Sequence, residues 1–325
     1  MEKITTGFSV NPLVGSLRAN QLMGRYIKTK YFIDLLNSKS LWFTRINNWQ
    51  LIDPCEAELL PVFKKHLRAS HRSSEYEYNF HKSLVDLSLK SSFGCCFTLY
   101  ENYENDHMWQ VFTPEVTDFG VLIIIKAIDL YNSLLNLKYL YPCQYFSKVK
   151  YINDAKAKSM QPRDCTHSNK ETFQYEESHF LKRISYSNEK EVRAVLSSEE
   201  SKWSILLHQY LKINKIPYYP IDTPQPKDCI GIKMMRSMVI RCPNDRVVFL
   251  NKEQGEGFIN FIENYYNNSV STGVNVPFDY NYIQKIIIHP RLNKGHDVYK
   301  AIQAEIENKK IGCEIIDSGL YKQAW

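Results

Sequence analysis

One stretch constrains the fold more than any other. In residues 189–196, Glu-Lys-Glu-Val-Arg-Ala-Val-Leu, charged residues alternate with mostly apolar ones at period two. That is the pattern of a strand with one wet face and one packed face. Glu189, Glu191 and Arg193 share a face, and Val192, Ala194 and Leu196 share the other with Lys190. At about 3.3 Å per residue, two carboxylates and a guanidinium lie within about 7 Å along such a strand. This concentration of charge makes it the leading site candidate. The same three residues also read as a salt-bridged outer face with no chemistry.

Composition bounds the rest. The chain has 325 residues, 44% hydrophobic and 23% charged, enough for one sizeable domain or two modest ones. A net charge of +6 permits contact with nucleic acid or phosphates without requiring it. None of the eight cysteines forms a CxxC pair, and no His stands at zinc-finger spacing from them, so no structural zinc is expected. With no secretory signal at the N-terminus, reduced thiols in a cytoplasm are expected. The longest apolar run, residues 121–125, is too short to span a bilayer, which predicts a soluble protein with no membrane partner. Neither GxGxxG nor GxxxxGK[ST] occurs, so no glycine-rich phosphate loop is present.

Periodicity predicts a loosely ordered lead-in over 1–21 and one α+β domain over 22–325, with a sub-division conceivable near 214–230 where Pro217, Pro220, Pro224 and Pro226 cluster. Strands are predicted at 24–28, 41–44, 93–100, 120–126, 145–152, 239–242, 246–250, 283–289 and 313–317. Helices are predicted at 31–38, 106–112, 128–137, 257–267 and 298–309, with 57–89 mostly helical and 203–213 as a surface helix. Residues 155–168 read as a loop leading into a helix that ends near Lys182, and 52–54 as a turn. The fold class expected is a mixed, twisted β-sheet with flanking helices.

Several segments resemble the bacterial family known as domain of unknown function 2971. Its opening strand, helix and strand precede an Asn-Asp-Pro-x-Glu element; Asp53, Pro54 and Glu56 match, with Ile52 in place of Asn. Cys96-Phe97-Thr98, Asp106, Met108-Trp109 and Gly120-Val121 match its second landmark, with Phe112 in place of a Tyr. Tyr186, Glu189, Glu191 and Arg193 match its acidic strand in full, and residues 286–290 and 315–318 resemble its end. The resemblance covers roughly residues 22–320.

A more distant likeness is to ADP-ribosyltransferases, in which a first strand with a basic residue, a helix, a Ser/Thr-bearing strand and a late acidic strand follow in that order. This resemblance implies an ADP-ribosyltransferase-like fold and NAD as substrate. It implies Glu191 beside the breaking glycosidic bond and Glu189 activating the acceptor. Arg25 would hold phosphate, Thr98 or Tyr26 would line the base pocket, and Arg193 would suit a pyrophosphate. A macromolecular acceptor, protein or nucleic acid, and a role as a cytoplasmic toxin or phage-defence effector follow from the same likeness.

Other readings stand beside it. A non-catalytic binding module would use the acidic strand to recognise a basic partner or a nucleotide. Asp53 and Glu56 read equally as turn and cap residues, and Met108 and Trp109 as core. A nuclease would need Asp53, Glu56 and Glu191 to converge on a divalent metal. Cys96 as a nucleophile would need a base, and His107 is its only neighbour in sequence. The cluster His66, Arg68, His71 and Arg72 reads as a solvated helix face or a nucleic-acid contact.

Overall fold

The computed structural model describes residues 17–51, 75–115, 117, 119–135, 137, 143–153, 161–162, 172–173, 179–197, 199–234, 246–269 and 272–320. Asp53, Glu56, the His/Arg cluster at 66–72, the predicted strand at 239–242 and most of the lead-in lie outside these residues.

β1 (Leu22–Lys28) runs into α1 (Thr29–Ser38), whose Phe32, Leu35 and Leu36 form the buried stripe expected from their spacing. Lys39, left-handed at φ 50°, turns the chain into β2 (Ser40–Arg45) and a 3-10 turn (Ile46–Leu51). Then come α2 (Glu75–Ser91), β3 (Ser92–Leu99), α3 (Asp106–Phe112), β4 (Gly120–Lys126), α4 (Ala127–Leu135), β5 (Cys143–Lys148) and β6 (Lys150–Ile152). The two-residue strands β7 (Gln161–Pro162) and β8 (Thr172–Phe173) pair with each other. β9 (Leu181–Arg183) and a second 3-10 turn (Ile184–Glu189) lead to β10 (Glu191–Ser197). The last part contains α5 (Glu199–Ile213), β11 (Tyr219–Pro220), β12 (Ile230–Met234), β13 (Arg246–Leu250) and α6 (Lys252–Ser269). β14 (Gly273–Pro277), β15 (Ile283–Ile288), α7 (Asp297–Asn308) and β16 (Glu314–Asp317) follow.

Nine strands form the main sheet in the order β14-β2-β3-β1-β4-β15-β16, with β10 and then β5 continuing from the other edge of β3. β15 and β16 pair in parallel and the other pairs are antiparallel, so the sheet is mixed and the class is α+β. β4 lies inside it between β1 and β15, and Val121 to Ile125 are each at most 1% exposed. Odd-numbered residues of that run enter the larger core, and Leu122 and Ile124 enter a smaller one with Tyr26, Met108 and Trp109. A strand covered on both faces needs a continuous apolar run, each side chain contributing about 1.5–3 kcal/mol.

The sheet forks at β3. One edge of β3 is paired with β10 from Ser92 to Thr98. The other edge is shared: Gly94 and Phe93 pair with β2, while Leu99 and Thr98 pair with β1. Residues 95–97 pair with neither, and the Arg25 guanidinium enters that gap. Its Nη1 donates to the Cys96 carbonyl at 2.8 Å and to Cys95 Sγ at 2.7 Å. A cation thus satisfies backbone that the sheet leaves open.

A second core joins α2, α5 and α6 to the small sheet β11-β13-β12, through Phe80, Leu87, Leu207, Leu211, Val248, Phe258 and Ile262 among others. The Pro-rich stretch runs within this unit, with Ile216 and Ile230 both buried and Tyr219–Pro220 paired to β13. The helix expected on the surface, α5, buries one face through Leu206, Leu207, Tyr210 and Leu211. Among the described residues no helix is long and apolar enough to cross a membrane.

Two other expectations are corrected. The helix expected to end near Lys182 does not reach it: His179 and Phe180 lie in a 3-10 turn, residues 181–183 are β9, paired in parallel with β6, and 174–178 lie outside the described residues. The strand expected over 145–152 is two strands broken at Val149, whose N–H bonds the Glu191 carbonyl.

Candidate functional site

The charged strand is placed differently from its sequence pattern. β10 begins at Glu191, not Glu189, and both its faces are buried. Val192, Ala194 and Leu196 enter the larger core as expected. The opposite face is not wet: Glu191 is 4% exposed and Arg193 1%. Period two distinguishes the faces of a strand but not water from a polar interior, and here a second layer covers the charged face.

Glu189 reaches the same place by another route. It ends the second 3-10 turn, and Lys190, left-handed at φ 44°, bends the chain back into β10. A non-glycine residue there costs on the order of 1 kcal/mol. The bend is held by Thr98 Oγ1 donating to the Glu189 carbonyl at 2.6 Å and by Leu99 N–H donating to the Lys190 carbonyl at 2.9 Å. The Lys190 side chain points away and pairs with Glu101 at 2.5 Å.

These residues line a cleft of about 410 Å³ on the face of the fork opposite the larger core. β1 supplies Arg25 and Tyr26, β3 supplies Cys96 and Thr98, and β10 supplies Glu191 and Arg193. α3 covers one side with His107, Met108, Val111 and Phe112, and Lys182, Tyr186 and Glu189 close another. So the structure brings together Glu189, Glu191, Arg25, Tyr26, Thr98 and Arg193. It leaves Asp106 at the half-buried start of α3, holding Gln110 Nε2 at 2.7 Å. Trp109 is core beneath the cleft wall, edge-on to Tyr26 at 4.7 Å and bonded to Glu104 at 3.0 Å. Asp53 and Glu56 lie outside the described residues, and among the described residues no acidic, His or Cys cluster suited to a metal occurs.

Lys182 was not legible as a site residue. Its ammonium donates to Glu189 Oε2 at 2.7 Å and to Glu191 Oε2 at 3.1 Å. Arg193 holds Glu191 from the other side, Nε to Oε1 at 2.7 Å and Nη2 to Oε2 at 3.1 Å, and bonds the His179 carbonyl at 2.6 Å. Its guanidinium also lies 4.7 Å from the Trp49 ring. Nothing in the sequence separates Lys182 from Arg183 beside it, or marks Trp49, because both reach the site through chain crossings.

This surround drives the two carboxylates apart. Burial pushes the Glu191 carboxyl up, but Arg193, then Lys182, outweigh it and hold the pKa at about 2. Burial raises Glu189, Lys182 offsets only part of that, and the Glu191 charge raises it further. Burial, then the Glu191 charge, push the Cys96 thiol well up, so it stays protonated; Cys96 as a nucleophile loses its support. Burial likewise raises the Tyr26 hydroxyl, which accepts from Asn105 N–H at 2.8 Å and keeps its own proton to donate.

Gly94 makes room for Trp49. A Cβ there would stand 2.3 Å from the indole, whose ring lies 4.7 Å from the Arg193 guanidinium. Gly94→Ala is expected to destabilise the fold by about 1–3 kcal/mol through overpacking. Urea unfolding followed by tryptophan fluorescence measures it, and an unchanged midpoint would mean the ring yields freely.

Residues 108–194 match the family model of proteins of unknown function designated DUF2971. The DUF2971 match runs from α3 into β10 and takes in Glu189, Glu191, Arg193 and Lys182. Arg25, Tyr26 and Thr98 come from outside it, as do the first and last landmarks of the family resemblance. No curated protein matches the chain, and no solved structure does.

Proposed function

We propose that the cleft belongs to an ADP-ribosyltransferase-like enzyme that consumes NAD, transferring ADP-ribose to a protein or nucleic-acid acceptor or to water. The observation that carries this reading is the convergence of Glu189 and Glu191, with their pKa values driven in opposite directions, on a cleft that also holds Arg25. Carboxylates separated in this way divide into a permanent anion and a proton carrier.

In this reading Glu191, ionised throughout, stabilises the oxocarbenium charge that develops as the nicotinamide–ribose bond breaks. The bonding pair leaves with nicotinamide, the acceptor oxygen or nitrogen attacks the ribose carbon, and its proton passes to Glu189. Arg25 would meet the dinucleotide phosphates. Among the described residues no carboxylate pairs with it, whereas Lys182 and Arg193 both have one. Tyr26, Thr98 and Phe112 would line the base, with Phe112 near-parallel to Tyr26 at 6.4 Å between ring centres. A volume of about 410 Å³ suits the nicotinamide-riboside end of the dinucleotide. Loss of NAD harms the cell that suffers it, which supports reading the protein as a bacterial toxin or phage-defence effector acting in a cytoplasm.

One observation favours the rival reading, a non-catalytic module. Both oxygens of Glu191 are already taken by Arg193 and Lys182. Nicotinamide release from NAD by the purified protein separates the two. The enzyme reading expects turnover that Glu189→Gln lowers by about 10²-fold or more and an NAD-dependent rise in melting temperature that Arg25→Met removes. Release equal to the buffer blank, with no thermal shift, would exclude the enzyme.

A further inference from the structure

Lys182 is where the two cleft carboxylates meet. Its ammonium bridges Glu189 Oε2 and Glu191 Oε2 and lies 4.8 Å from the Tyr186 ring. It is delivered by β9, whose parallel pairing with β6 sets Lys182 opposite Tyr151. Tyr151 in turn accepts the backbone N–H of Glu191 at 2.8 Å, so this strand pair meets Glu191 at its main chain through Tyr151 and at its carboxylate through Lys182. Both lysine and Glu189 side chains are mostly enclosed, at 12% and 14% exposed.

We propose that Lys182 is the positioning residue of the cleft: by bridging Glu189 and Glu191 it holds the two carboxylates together and decides the pH at which Glu189 can take up a proton. Its catalytic meaning rests on the NAD reading, but the electrostatic role does not. The groups that face the pair are Arg193 from β10, Tyr151 from β6, Tyr186 from the 3-10 turn and the protonated Cys96 thiol from β3. Arg193 is a cation whose Nε and Nη2 bond Glu191 and whose charge lowers Glu189 less than that of Lys182 does, and Arg25 from β1 and His107 from α3 line the same cleft. Without the ammonium, two carboxylates would share one enclosed site. Glu191 keeps its charge through Arg193, so the proton goes to Glu189.

The test is a carbon-13 carboxyl titration by NMR of the wild type, Lys182→Met and Lys182→Arg, with Glu189→Gln assigning the resonance. Removing an opposite charge at this distance is expected to raise the Glu189 midpoint by about 1–3 pH units in Lys182→Met. Lys182→Arg is expected to return it close to the wild-type value, and Lys182→Gln replaces the Met variant if that does not fold. A Glu189 midpoint that stays in place when the charge is removed overturns the proposal. In the nicotinamide-release assay the acid limb of the rate profile should rise by the same interval. A shifted titration in a protein that releases no nicotinamide would keep the positioning role and discard the NAD reading, so the two fail separately.

Discussion

Glu191→Ala is expected to cost the fold about 3–5 kcal/mol, because it strands Arg193 as a buried cation without its carboxylate. Arg193 is 1% exposed, and besides Glu191 it meets the His179 carbonyl and the face of Trp49. The pH behaviour of Glu191 gives a similar size. Its pKa falls from 4.5 to about 2 on folding, so the charged form contributes about 3 kcal/mol. That contribution is complete above pH 4.5 and is lost as pH falls through about 2. Urea midpoints measure the loss. The double variant Glu191→Leu, Arg193→Met should recover much of it, since an apolar pair leaves no buried charge behind. A single variant as stable as the wild type would mean the cluster is hydrated and the cleft open.

Acid is expected to destabilise the protein well before the carboxylates are titrated. His179 and His289 are 1% and 2% exposed. Burial, then the charge of Arg193, lower His179 to about 3; burial, then Arg291, lower His289 to about 4. The unfolded chain protonates both near pH 6.5, while the folded chain keeps them neutral down to those values. Stability is therefore full above pH 6.5 and falls as pH drops, by up to ~1.4 kcal/mol per unit for each histidine. Between pH 7 and 4 the loss should be on the order of 5 kcal/mol. Glu189 acts the other way, since its raised pKa lets the folded form take up a proton first. His289 joins this loss to the cleft. Its Nδ1 accepts from Arg291 N–H at 3.1 Å, which leaves Nε2–H to donate to Thr113 Oγ1 at 3.0 Å. Thr113 then bonds the Trp109 carbonyl at 2.6 Å, pinning the end of α3. Urea midpoints from pH 7.5 to 4 provide the measurement, and His289→Asn, which can both accept and donate, should flatten part of the slope. A midpoint constant over that range would show the two histidines to be solvated.

Much of the fold was legible. β1, α1, β2, β3, α3, β4, α4, β13, β15, α7 and β16 stand within a few residues of where periodicity puts them, because each is amphipathic or apolar in its own segment. The misreadings share a cause. Residues 179–183 lack a period long enough to identify, and their strand exists only because β6 lies beside it. At the site, the residue types at 189, 191 and 193 marked the charged strand, and the likeness to ADP-ribosyltransferases singled out Arg25, Tyr26 and Thr98. Lys182 and Trp49 remained invisible, since a lysine beside an arginine and a tryptophan after a strand mean nothing until the chain returns over them.

By itself, then, the sequence determined most strands of the main sheet and most helices, the class, and an acidic segment too charged to be ordinary core. Only the tertiary structure decided that this charge is interior, that the sheet parts at β3 to admit Arg25, and that Lys182 closes over both carboxylates. The physical reason is one of range. Period and propensity act over a few residues, whereas the field at a buried carboxylate is set by whichever distant segments enclose it.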